Sequence, residues 1–105
     1  QEKLKHTVKT IHKEFVNIDY YIHTPEGAIF LWLWLPSLPI SSDLLYERLK
    51  LRGVLVISGS HFFPGLKDDW EHKQQCLRIT YSMNEEVVKK GIKIIADEIR
   101  IITNE

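Results

Sequence analysis

One cysteine, Cys76, stands in 105 residues, so no disulfide can form within the chain, and that usage suits a reducing compartment. An excess of either charge is missing as well: 14 lysines and arginines balance 14 aspartates and glutamates. A chain with no net charge has no basic field to draw in nucleic acid or an acidic lipid surface. Long hydrophobic runs are also lacking. The run AIFLWLWL at 28–35 has eight residues, against the roughly 20 that a membrane span needs, and no signal-peptide pattern precedes it. A cytoplasmic protein with neither nucleic acid nor membrane as partner is the expectation. Glycine and proline are few, at five and four, and there is no internal repeat, low-complexity segment or interdomain linker. The length suits a single domain over residues 1–105 with a real core, but not a two-lobed enzyme. The chain opens Gln1-Glu2 rather than on methionine, which suggests a piece of something longer.

What is present divides into helical and extended patterns. Leu4, Val8, Ile11 and Phe15 recur at steps of four, three and four, with Lys3, Lys5, Lys9 and Lys13 on other faces, which predicts an amphipathic helix over 1–17. The lysines read as its solvated side. YYIHT at 20–24 predicts a short strand stopped by Pro25 and Gly27. AIFLWLWL follows, with Ile29, Leu31, Leu33 and Leu35 on one face and Phe30, Trp32 and Trp34 on the other. A strand apolar on both faces should be covered on both. SSDLLYERLKLRG predicts a helix capped by Ser41 or Ser42, with Leu44, Leu45 and Leu49 inward and Gly53 at its end. VLVI at 54–57 predicts a buried strand. Residues 58–73 form a long loop holding Phe62, Phe63 and Trp70, and CLRITYS at 76–82 is the last strand. From Asn84, an N-cap ahead of Glu85 and Glu86, a final helix runs to about Thr103. Val88, Ile92, Ile95, Ile99 and Ile102 form its stripe, widened by Val87, Ile94 and Ile101. The expected fold class is α+β: two layers, with helices on one face of a small mixed sheet. With too few helices for both faces, the side bearing Trp32 and Trp34 is expected to dock against protein outside this chain.

Alternation in the last strand puts Cys76, Arg78, Thr80 and Ser82 on its more polar face. Arg78 on such a face has two readings. A solvent-facing arginine is the commoner; the other is an anion site, since a planar fork of N–H donors grips a carboxylate by two parallel hydrogen bonds. His61, His72 and Cys76 fit no zinc spacing, and loop histidines are mostly ordinary polar residues. A Cys76–histidine nucleophilic pair ranks lower still, because Cys76 lies within a strand pattern with no oxyanion hole in view. Ser58-Gly59-Ser60 has too few glycines for a phosphate loop and no following GK[ST].

Three segments carry a resemblance that spacing alone does not supply: PEGAIFLWLWL, LLYERLKLRGVLVISGSHFFPG and WEHKQQCLRITY. Together they resemble the C-terminal small domain of fold-type I pyridoxal-phosphate aminotransferases, from about Tyr20 to Ile102. Within that family the likeness is to members that move an amino group between valine or alanine and keto acids such as pyruvate. Ser58 departs from the pattern, which has proline before the glycine. The resemblance implies that Arg78 binds the α-carboxylate of the amino acid and keto acid, and that His61, Phe62 and Phe63 line part of the substrate pocket. It further implies pyridoxal 5'-phosphate as cofactor, held by the enzyme's own large domain, and a homodimer. No catalytic or cofactor-binding residue is expected here; the Schiff-base lysine is expected upstream, and Lys50, Lys67 and Lys73 read as surface groups. Two other roles stay open: a ligand-sensing aminotransferase-like module of a transcription regulator, and a stand-alone carboxylate-binding module.

Overall fold

The computed structural model describes residues 2–24, 29–54, 56–58, 75–81 and 83–104. In chain order its elements are α1 (Glu2–Glu14), β1 (Tyr21–His23), β2 (Phe30–Trp34), α2 (Ser42–Leu51), β3 (Ile57–Ser58), β4 (Cys76–Thr80) and α3 (Glu85–Thr103). This is the order that the sequence patterns predict, and helix ends fall where local chemistry puts them. Ser41 caps α2, its hydroxyl accepting from the Leu44 N–H at 3.3 Å, and Asn84 caps α3, accepting from the Glu86 N–H at 2.8 Å. At the other end of α2, Gly53 takes φ of +81°, the left-handed conformation that glycine adopts without a Cβ penalty. Its N–H reaches the Lys50 carbonyl and that of Val54 reaches the Leu49 carbonyl, which closes the helix with both orphan acceptors satisfied.

The four strands lie in the order β1-β2-β4-β3, and each neighbouring pair is antiparallel. The expectation of a mixed sheet is corrected here, and the cause is topological. The β2–α2–β3 crossover does make β2 and β3 run the same way, but β4 enters between them and turns both contacts antiparallel. The α+β class with helices against one face stands.

That face carries the core. Leu31 and Leu33 of β2 lie opposite Ile79 and Leu77 of β4, and all four are buried. Ile11 and Phe15 from the α1 end, Leu45 and Leu49 of α2, and Ile92, Ile95, Ile99 and Ile102 of α3 close over them. Residues at the margins of their elements depart from the sequence reading. Ile29 precedes the first paired residue of β2 and is exposed. Leu44 is exposed because Leu45 and Leu49, four apart, already occupy the inward line of α2. Val87 and Ile101 flank the α3 stripe and are exposed also. Of the described residues in the segment expected as VLVI, Ile57 alone pairs, in β3 with Ser58, and the Val54 N–H is committed to α2; Val54 and Val56 are nevertheless buried.

Charged groups tie the helices together. Arg100 of α3 donates to the carbonyls of Glu14 and Val16 at 2.7 and 2.9 Å, which satisfies backbone acceptors where α1 ends and Asn17 turns through φ of 66°. Glu98, nearly enclosed, accepts from Arg48 Nε at 2.9 Å and from Arg52 Nη1 at 3.0 Å, both from the α2 end. Burial pushes the Glu98 carboxyl up, but the hydrogen bonds and charges of Arg48 and Arg52 outweigh it, and the net direction is down. A carboxyl lowered in the fold adds stability above its unfolded value of about 4.3, and that stability is lost as pH falls through the folded value. Glu98→Gln should therefore reduce the pH dependence of stability on the acid side of about pH 4.3. Urea titrations from pH 3 to 6 that give parallel curves for both proteins would refute this.

Candidate functional site

The sheet face turned away from the helices is built by the register. Across it, His23, Trp32, Arg78 and Ile57 occupy one cross-strand row, in that order. Tyr21, Trp34 and Cys76 form the next row, and Phe30 pairs with Thr80 on the other side. Alternation puts the side chains of His23, Trp32 and Arg78, and of Tyr21, Trp34 and Cys76, on the face opposite Leu33 and Leu77.

Arg78 sits half-buried in β4, a strand paired on both sides, so its backbone position is fixed from two directions. Its guanidinium carbon lies 4.7 Å from the centroid of the Phe30 ring, within the range of a cation–π contact. Phe30 in turn meets Trp32 edge-on, with centroids 6.1 Å apart and planes at 84°. Trp34 stacks on Tyr21 at 5.0 Å and donates its indole N–H to Gln75 Oε1 at 3.2 Å. Gln75 spends its amide on the Pro36 carbonyl at 3.0 Å, so the polar end of that indole is anchored through two strands' ends. Both Trp32 and Trp34 are half-buried. Among the described residues this face carries one arginine among aromatic rings.

Cys76 shares this face but has no nucleophile's character. Burial pushes its thiol up to about 11, so it is protonated near neutral pH, and thiolate chemistry needs the opposite shift. Among the described residues no cluster of three or more His, Cys, Asp or Glu could hold a metal ion, and no helix is long and apolar enough to cross a membrane. His61, Phe62 and Phe63, together with His72 and Trp70, lie outside the described residues. Of the residues predicted for the substrate site, only Arg78 is described.

Sequence reasoning missed Phe30 as the neighbour of Arg78. Alternation placed Phe30 with the tryptophans, and Arg78 with Cys76 and Thr80, yet nothing local says how the two strands register. Only the pairing of Trp32 with Arg78 brings the two together diagonally.

Comparisons with known proteins bear on the family and the fold. The sequence profile of the family described as aminotransferase class I and II matches residues 1–95. The chain is 46% identical over 98 residues to valine–pyruvate aminotransferase of Escherichia coli K12, a match covering 93% of this chain and 24% of that protein. The crystal structure of valine-pyruvate aminotransferase from Salmonella typhimurium LT2 superposes with a TM-score of 0.92 at 44% identity, covering 99% of this chain and 27% of the other. A putative amino-acid aminotransferase from Psychrobacter arcticum 273-4 gives a TM-score of 0.93 at 39% identity, covering 100% of this chain and 24% of its own. The chain thus spans about a quarter of the length of these relatives. Profile, identity and superposition converge: the chain belongs to the class I and II aminotransferase family.

Proposed function

We propose that this chain is the small domain of a pyridoxal-phosphate aminotransferase and that it grips the substrate's α-carboxylate through Arg78. The observation that carries the reading is the placing of Arg78: a guanidinium on the sheet face opposite the described helices, beside the Phe30 ring and across the ladder from Trp32. A carboxylate held by two parallel N–H···O bonds is fixed in angle as well as position, and angle decides which bond of the amino acid is presented for reaction.

In this reading pyridoxal phosphate, the electron sink of this family, is held by the rest of the enzyme. Every described lysine is exposed: four on α1, Lys50 on α2, and Lys89, Lys90 and Lys93 on α3. None stands on the Arg78 face, whose strands carry no lysine. The substrate would lie between the rest of the enzyme and this sheet face. Trp32 and Trp34, half-buried here, would be covered in the same assembly.

The likeness to valine–pyruvate aminotransferases suggests the substrates: valine or alanine as amino donor, with pyruvate among the keto acids. Full-length protein supplied with pyridoxal phosphate, L-valine and pyruvate should form alanine and 2-oxoisovalerate in equal amounts. Failure with every amino-acid and keto-acid pair, in folded and cofactor-loaded protein, would overturn the reading and leave a non-catalytic ligand module.

A further inference from the structure

We infer that Phe30 is a positioning residue: its ring holds the Arg78 guanidinium ready and thereby sets affinity for the substrate carboxylate. The inference rests on the role of Arg78 proposed above. The contact itself is a diagonal one across the β2–β4 ladder, since Phe30 pairs with Thr80 and Arg78 with Trp32. Over that diagonal the guanidinium carbon comes to 4.7 Å from the ring centroid. The ring is held from its own strand by the edge-on contact with Trp32, and it is half-buried.

Long arginine side chains have many rotamers, and gripping a planar ligand removes that freedom. Any neighbour that removes it beforehand improves binding. An aspartate or glutamate in the position of Phe30 would orient the fork too, but it would compete with the substrate for the same donors. A phenyl ring attracts the cation through its negative face while bringing no carboxylate oxygen. It orients the fork and adds no competing acceptor of its own.

The test uses full-length, cofactor-loaded enzyme and four variants. Phe30→Leu keeps apolar bulk and removes the π face. It should raise KM for amino acid and keto acid by about three- to thirtyfold, with a smaller change in kcat. The dissociation constant of 2-methylalanine, which has no α-hydrogen to lose, should rise by the same factor. The slow half-reaction of an amine without an α-carboxylate should be unchanged, and Phe30→Tyr should restore the original KM. Phe30→Met replaces Phe30→Leu if the latter folds poorly. Arg78→Lys separates the two levels of the reading. If it weakens carboxylate binding while Phe30→Leu does not, Phe30 has no positioning role and the Arg78 assignment stands. If neither substitution changes it, both fall. Equal losses for amines and amino acids in Phe30→Leu would mark a structural residue and overturn the inference.

Discussion

Arg78→Lys in the full-length enzyme is expected to lower kcat/KM for amino acid and keto acid by roughly ten- to a hundredfold, since charge-assisted hydrogen bonds contribute on the order of 1.5–3 kcal/mol. Lysine keeps the charge, so the carboxylate is still attracted. What it loses is the second parallel hydrogen bond, and with it the fixed angle. KM should therefore rise and kcat should fall together, because a swinging substrate spends less time in reactive alignment. Amines without an α-carboxylate should be nearly indifferent. Stability should change little, because Arg78 is half-buried on the face opposite the core. Loss of folded protein with unchanged substrate affinity per folded molecule would make Arg78 a structural residue.

One position earlier on the same strand the opposite result is expected. Leu77 is fully buried, pairs with Leu33 on one side and Ser58 on the other, and faces the helices. Leu77→Ala removes its contacts and leaves a cavity in the middle of the sheet's covered face, with a cost of about 2–5 kcal/mol. Denaturant titration followed by tryptophan fluorescence measures it. The surviving folded molecules should keep KM, because the alternation of the strand separates Leu77 from the Arg78 face. A cost under about 1 kcal/mol would mean that the core around β4 collapses to fill the gap, against its close packing. The pair of substitutions thus tests whether adjacent residues divide binding and folding between two faces.

Features that depend on a few consecutive residues were legible in the sequence. Ser41 and Asn84 cap helices by bonds to residues three and two positions on, and Gly53 stops a helix within its own turn, so each could be read where it stands. Leu31 and Leu33 followed from alternation. Legibility failed at element margins, where Ile29, Leu44, Val87 and Ile101 fit an apolar pattern but reach past the area that the core covers. It failed also where strands meet. The mixed sheet was a natural reading of a β–α–β crossover, because no local signal announces that a later strand will fill the gap. For the same reason the partnership of Phe30 and Arg78, 48 positions apart in the numbering, was invisible until the register was known. The ion cluster of Glu98 with Arg48 and Arg52 joins residues similarly remote. The proposed role of Arg78 as a carboxylate ligand comes from family resemblance; polarity on a strand face says only that an arginine is there.

The entry of β4 between β2 and β3 also dictates an order of events as the chain leaves the ribosome. The β1–β2 hairpin can form early, but β2 and β3 share no ladder until residues 76–80 arrive to join them. The first helix waits longer still, because its main helical neighbour is α3, at 85–103. During synthesis at about 5–20 residues per second, Leu31 and Leu33 therefore stay only partly covered for several seconds after they emerge. Non-local closure of this kind is slow and leaves apolar strands open to wrong partners. Nascent chains paused before residue 76 should be the ones that chaperones hold, and completion of α3 should be the step that releases them.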